Sequence, residues 1–187
     1  PASELQTLAT YAREYFSRGT HNNGAFLPWH RGLLLDVENT LRQQDCRITV
    51  PYWDWSRHPE VATSSFWGDD DDQFSGDGHP TTRCVETGLF GPSYILTNGL
   101  CLRRDLRSGS AADNASIQSQ LFDRYPDPSQ YDSFRNRLEH GPGLHDSVHC
   151  IVGGTMCSAR AAEDPVFHLH HANVDRIWSE WQDQSTA

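Results

Sequence analysis

The sequence has no apolar run of the roughly 18 residues that suggests a membrane-spanning helix, and it has no stripe of basic residues. Its 15 Lys and Arg are outnumbered by 25 Asp and Glu, which gives a net charge of −10 over 187 residues. An acidic chain without a basic patch is poorly suited to bind nucleic acid or an anionic membrane. We therefore expect neither partner.

The given sequence begins at Pro1, with neither a methionine nor a signal-peptide pattern at its start. We therefore expect a processed protein or a fragment. The length fits one domain, residues 1–187, with a sizeable core. If the chain is a fragment, this domain is truncated at its N-terminus.

The five cysteines favour an oxidising compartment, either outside the cell or in the lumen of the secretory pathway. Cys84 and Cys101 bracket a glycine-rich loop, and Cys150 and Cys157 bracket a turn, so each pair predicts a disulfide. Cys46 is left over. It is either a free buried thiol or paired with sequence beyond this chain.

Apolar periodicity predicts a mainly helical chain. The predicted helices are residues 2–18, residues 28–44, a helix from 131 that is broken at 141–143 and ends at 153–154, and residues 170–183. The segment 56–129 is rich in Gly, Pro, Asp and Ser and shows no apolar period, which indicates a long irregular region.

Histidines gather in two parts of the sequence. His145 and His149 lie four residues apart, so a helix would place both rings on one face. A second group at 168, 170 and 171 precedes the last predicted helix, and His21 and His30 flank another helix start. Neutral imidazoles from facing helices can hold a transition metal. Two such clusters predict two metals in a bundle.

Four motifs carry a family resemblance. They are FLPWHR at 26–31, PYWDW at 51–55, LHDSVH at 144–149 and DPVFHLHHANVDRIW at 164–178. In this order they resemble the tyrosinase family of type 3 copper proteins. The resemblance covers nearly the whole chain and implies a four-helix bundle around a dinuclear copper site, with long disulfide-stapled loops.

The resemblance implies two copper ions that share O₂ and oxidise phenols, o-diphenols above all, to o-quinones. It assigns two ligands of the first copper to His21 and His30 and the three ligands of the second to His145, His149 and His171. His170 matches a histidine beside the third ligand that does not bind copper. His168 is expected either to pack in the core or to line the pocket, and not to bind copper.

The first copper is one histidine short of the family pattern, because residues 1–20 contain none. Three explanations are open. The ligand lies upstream of a truncated chain, or another residue stands in its place, for which Arg13 is a candidate by its spacing from His21. Otherwise His58 or His79 supplies it. A guanidinium stays protonated and cannot bind copper.

Two carboxylates are implied to act in catalysis. Glu139 matches a glutamate that holds a water near the coppers, which could take the phenol's proton. Asp146 stands where some members have asparagine, and repulsion between the two acids could raise one pKa. Gly19 stands where some members have a cysteine bonded to a copper ligand, so that thioether cannot form.

Other interpretations fit the same residues. Zinc would suit a single three-histidine site, although two clusters with few carboxylates favour copper. A hemocyanin-like oxygen carrier would use the same ligands, and an inactive structural or matrix protein would fit an incomplete first site. The substrate expected of an enzyme is a small phenol together with O₂.

Overall fold

The computed structural model describes residues 2–16, 18–70 and 73–185. Its helices are α1 (Ala2–Phe16), α2 (Phe26–Arg42), α3 (Asn114–Ile117), α4 (Tyr131–His140), α5 (His145–Val152) and α6 (Val166–Ser185). Within these residues there are isolated β-bridges but no β-strand. The predicted mainly helical fold is confirmed.

Helix α2 lies at the centre of the bundle and packs against α1 and α6, while α4 packs against α5. On α2, Leu33, Leu34 and Val37 are buried, whereas Leu41, which continues the same apolar period, is only partly buried. At the other end of the bundle, the rings of Phe134 and Trp181 stack with centroids 4.3 Å apart. These contacts hold the histidine-bearing helices in a single core.

Several predicted helix boundaries are wrong. The first two helices each end two residues earlier than predicted, and α2 begins at Phe26 rather than at residue 28. The largest error concerns α6, which begins at Val166 rather than near 170. Asp164 causes this earlier start, because its Oδ1 accepts the backbone N–H of Val166 at 3.1 Å, as a helix cap does. The histidines at 168, 170 and 171 are therefore helical.

The segment between α2 and α4 is mostly irregular, as predicted, with single helical turns at residues 55–57, 61–63 and 128–130 and one longer helical stretch at 114–122 that includes α3. It is fixed by the Cys84–Cys101 disulfide and by a fully buried ion pair. In that pair the Arg104 guanidinium donates to Asp164 at 2.9 and 3.1 Å. The loop is thereby tied to the residue that caps α6.

Both predicted disulfides form, and Cys46 is exposed. The prediction that Cys46 is buried if free is therefore wrong, because it follows the end of α2 at the surface. Helix α5 ends where predicted, at Gly153, whose φ of +67° would strain any residue with a side chain. In the described part of the chain, no helix is both long and apolar enough to cross a membrane.

Candidate metal centre

Helices α5 and α6 bring four buried histidines together: His145, His149, His170 and His171. One nitrogen from each lies within 4.8 Å of the nitrogens from the other three. The Nε2 atom of His171 is 3.3 Å from Nε2 of His145 and 3.3 Å from Nε2 of His149. The spacing of four on α5 places the first two rings on one face, and α6 supplies the third across the bundle.

Contacts on the far side of two of these rings fix which nitrogen carries the proton. His149 Nδ1 lies 2.8 Å from the Met156 carbonyl oxygen, and His145 Nδ1 lies 2.9 Å from Asp146 Oδ1. Carbonyl and carboxylate oxygens only accept, so each Nδ1 carries its hydrogen and each Nε2 presents a lone pair. Such contacts hold metal-binding histidines in the required tautomer.

The three Nε2 atoms fit a metal ion. Nitrogens bound at about 2.0–2.1 Å with tetrahedral angles lie roughly 3.3–3.4 Å apart, and the observed separations to His171 are 3.3 Å. Without an ion, the lone pairs of His145 and His149 would both compete for one proton of His171. His171 Nδ1 is buried and has no hydrogen-bond partner. The second centre, defined as His145, His149 and His171, is therefore suited to one transition metal.

His170 belongs to the cluster but differs in its tautomer. Its Nδ1 lies 3.2 Å from Trp55 Nε1, which can only donate, so the proton of a neutral ring is on Nε2. A protonated Nε2 does not bind metal while Trp55 keeps this contact. His168 is partly buried against Phe167, outside the cluster.

His21 and His30 form the first cluster, next to the second centre. Their ring centroids are 4.9 Å apart, and the His30 ring stacks on His171 at 4.1 Å with an interplanar angle of 7°. His30 Nδ1 donates to the Phe26 carbonyl at 2.8 Å, so its Nε2 also presents a lone pair. His21 lies 6.1 Å from His145 between ring centroids. The structure thus brings all five proposed ligands into one region.

Burial lowers the pKa of four of these rings, those of His21, His30, His149 and His171. It lowers the pKa of His21 to about 4 and that of His149 to about 3, with repulsion from His145 adding to both shifts. The pKa values of His30 and His171 are well below 6.5, again mainly because of burial and then because of neighbouring histidines. Neutral imidazole is the form that binds metal.

A cavity of about 370 Å³ opens beside the two clusters. Its walls include His21, His30, His145 and His149, together with Phe167 and the Cys150–Cys157 disulfide. From α1, Ala12 and Arg13 reach the cavity. A volume of this size admits a small aromatic molecule next to the histidines.

The missing ligand is not supplied by the loop histidines. His58 and His79 are exposed, and neither lines the cavity. Arg13 lies at the cavity wall, which agrees with its proposed position, but the buried Ala12 beside it was missed. The spacing from His21 alone could not decide between positions 12 and 13 of the helix.

The two carboxylates have different surroundings. Burial would raise the pKa of Asp146, but hydrogen bonds from His145 and His140 and the charges of those rings lower it to about 2. Asp146 is therefore not an acid whose pKa is raised by repulsion. Glu139 is fully buried, and its Oε2 accepts from Arg135 at 3.1 Å. Its Oε1 accepts from the backbone N–H of Asn22 at 2.8 Å, beside His21.

Sequence reasoning missed His140, which connects these acids. Its Nδ1 lies 2.6 Å from Asp146 Oδ2, and its Nε2 lies 3.5 Å from Glu139 Oε2. The sequence offered one signal, a histidine directly after Glu139 at the end of a helix. The Met156 carbonyl was also missed, since a backbone acceptor leaves no mark in the sequence.

Comparison with known families identifies the fold around this centre. The family model described as the common central domain of tyrosinase matches residues 4–184. The chain belongs to the tyrosinase family. The resemblance seen in the four motifs is therefore confirmed, and the family's dinuclear copper chemistry agrees with the buried histidine cluster.

Individual relatives give the same assignment. The chain is 38% identical to a tyrosinase from Streptomyces glaucescens over 180 residues, which are 88% of this chain and 65% of the relative. It is 31% identical to grixazone synthase from Streptomyces griseus over 91% of this chain and 69% of that protein. It thus spans about two thirds of these relatives.

A solved structure shows the same fold. A polyphenol oxidase variant from Thermothelomyces thermophila matches all of this chain and 63% of its own length, with a TM-score of 0.69 and 21% identity. The four-helix arrangement predicted for the tyrosinase family is confirmed by this match and by the helical structure described above.

Proposed function

We propose that this tyrosinase-family domain binds copper and oxidises phenols, o-diphenols above all, to o-quinones with O₂. The observation that carries the proposal is the convergence of the three Nε2 atoms of the second centre, two of them fixed as lone-pair donors. Its tyrosinase relatives support phenol oxidation as the reaction class.

Copper, when bound, would supply the redox couple that passes electrons from the phenol to O₂. We assign its binding to His145, His149 and His171, and to His21 and His30 in the first cluster. All-nitrogen ligation suits copper in both oxidation states. In the balanced reaction, two molecules of an o-diphenol each lose two electrons and two protons, and one O₂ becomes two molecules of water.

Asp146 is a carboxylate that lines the cavity. It is ionised above its pKa of about 2, and its partner His140 is a third exposed. A pKa this low makes Asp146 a weak base for a phenol, so we propose an orienting role for it. Its two oxygens accept the Nδ1–H groups of His145 and His140 at the edge of the cavity.

Glu139 is proposed to position the first cluster. Both of its oxygens accept hydrogen bonds, one from Arg135 and one from the Asn22 backbone. These bonds hold the loop that carries His21 against α4. The role expected for Glu139 from the family, holding a water that takes the substrate's proton, stays a prediction.

Oxygen uptake tests the proposed reaction. The protein is incubated with excess Cu(II), and O₂ consumption and quinone absorbance are followed with catechol as substrate. We expect two molecules of quinone per O₂, loss of activity in His149→Ala, and unchanged activity in His58→Ala, which alters an exposed histidine outside the cavity. Equal rates in both variants would contradict the proposal, since free copper would then be the catalyst.

Two outcomes would favour the alternatives. Reversible O₂ binding without quinone would indicate an oxygen carrier. Copper binding with neither O₂ binding nor turnover would indicate an inactive scaffold, which the incomplete first cluster would explain. An extracellular or lumenal site of action is also proposed, because the two disulfides need an oxidising compartment.

A further inference from the structure

The first cluster faces helix α1, whose described side chains offer it no ligand. Of the described side chains of α1, Ala12 and Arg13 line the cavity beside His21 and His30. Ala12 is 6% exposed, so its methyl group points into the protein at this wall. A methyl group has no lone pair. The side of the first cluster that a third ligand would complete is therefore apolar at residue 12.

Arg13 makes this wall still less favourable for a metal ion. Its guanidinium keeps its proton and has no lone pair to donate. Its Nη1 lies 3.8 Å from Glu163 Oε1, and the same carboxylate is also paired with Arg160. Arg13 therefore presents a paired cation, and no lone pair, to this wall.

The other polar groups of the cavity wall are already engaged. Asp146 accepts from two histidines, and the Met156 carbonyl accepts from His149. The sulfurs of Cys150 and Cys157 are joined to each other, and Ser158 Oγ donates to the Thr155 carbonyl at 2.7 Å. Within the described part of the chain, the first cluster is left with His21 and His30 alone.

We propose that the two metal positions of this chain are unequal. The second centre holds one copper ion tightly, whereas the first cluster is a two-histidine half-site, one ligand short at Ala12, that fills only in excess copper. The inference rests on the proposed function, since it takes copper as the metal. It implies that oxidation by this chain depends on the free copper concentration.

Metal analysis with a gain-of-ligand variant tests the inference. Protein loaded with Cu(II) is dialysed against a weak chelator, and copper per chain is measured. We expect one copper in the wild type and two in Ala12→His. Arg13→His serves as a second variant, because residue 13 reaches the same wall. Glu14→His is the matched control, since it adds a histidine to an exposed position of α1 outside the cavity, and it should retain one copper.

Electron paramagnetic resonance provides a readout that is independent of activity. An isolated Cu(II) is paramagnetic, whereas two Cu(II) ions coupled through a bridging ligand give no signal. The wild type should give a signal for one copper per chain, and the variant that gains a second copper should lose that signal.

Three outcomes would overturn the inference. A wild type that keeps two coppers would disprove the half-site and leave the proposed function standing. A wild type that keeps none would disprove both. The third outcome is that Ala12→His and Arg13→His both keep the wild-type circular dichroism spectrum and each still bind only one copper.

Discussion

His149 and Met156 are joined across a short covalent loop: the Nδ1–H of His149 donates to the Met156 carbonyl oxygen at 2.8 Å. The Cys150–Cys157 disulfide begins one residue after the histidine and ends one residue after the methionine. The disulfide therefore holds the carbonyl that fixes the metal-binding tautomer of His149. It acts on the second centre without contributing a ligand.

Removing this disulfide should weaken copper binding. In the double variant Cys150→Ser with Cys157→Ser, we expect copper affinity to fall about 10- to 100-fold, the range found when groups that orient metal ligands are lost. Competition with a chelator of known affinity measures the change.

The other disulfide provides the matched control. By loop entropy, a bridge with a separation of 7 residues contributes about 2.4 kcal/mol to stability, and one with a separation of 17 contributes about 3.1 kcal/mol. Replacing Cys84 and Cys101 with serine should therefore cost similar stability but leave copper affinity unchanged. Equal losses of affinity in the two double variants would show that only global stability matters.

Asp146 should affect copper binding through the His145 tautomer. Asp146→Asn retains an oxygen that can accept the His145 Nδ1–H, so we expect less than about a 10-fold loss of copper affinity. Asp146→Ala removes the acceptor, and the loss should reach about 10- to 100-fold. Isothermal titration with Cu(II) measures both. If Asp146→Ala bound copper as well as wild type, the proposed orienting role would be wrong.

The Arg104–Asp164 pair should be essential for stability, because both side chains are fully buried. Asp164→Asn leaves the guanidinium without its counter-charge, so we expect unfolding free energy to fall by about 3–5 kcal/mol. The exposed pair Arg47–Asp45 is the control, and Asp45→Asn should lower stability far less, because solvent screens an exposed pair. Urea unfolding measures both losses, and equal losses would contradict the assignment.

Acid should destabilise the metal-free protein at pH values above those at which ordinary carboxylates are protonated. Burial lowers the pKa of His149 to about 3 and that of His168 to about 4. Unfolded histidines take up protons near pH 6.5, so these buried rings favour the folded state above that pH. The stability that these rings contribute is lost as pH falls from about 6.5 through the pKa values of the rings in the folded protein.

Urea unfolding of the metal-free protein between pH 7 and pH 4.5 measures this effect. The unfolding free energy should fall with acidification in both wild type and His168→Leu. The slope of the variant should be smaller by up to about 1.4 kcal/mol per pH unit, the value for one proton. Identical slopes would show that His168 takes up its proton equally in both states.

Much of the site follows from local sequence. The four-residue spacing of His145 and His149 places both on one face of a helix whatever the rest of the fold does. The FLPWHR motif likewise places His30 on a helix with a buried apolar face. The start of α6 could also have been predicted, because Asp164 followed by Pro165 is a helix-start pattern.

Other features depend on tertiary structure and were not accessible from the sequence. The Met156 carbonyl orients His149 only because a disulfide turns the chain back on itself. Ala12 reaches the cavity because α1 packs beside α2, and spacing from His21 favoured its neighbour Arg13 instead. His140 was overlooked because its role arises from the meeting of α4 and α5.

Anomalous diffraction at the copper absorption edge, from crystals grown with Cu(II), tests the central claim most directly. We predict a peak bounded by Nε2 of His145, His149 and His171. A peak only at other residues, or no anomalous peak in crystals of the folded protein, would contradict the copper centre on which the proposed oxidation depends.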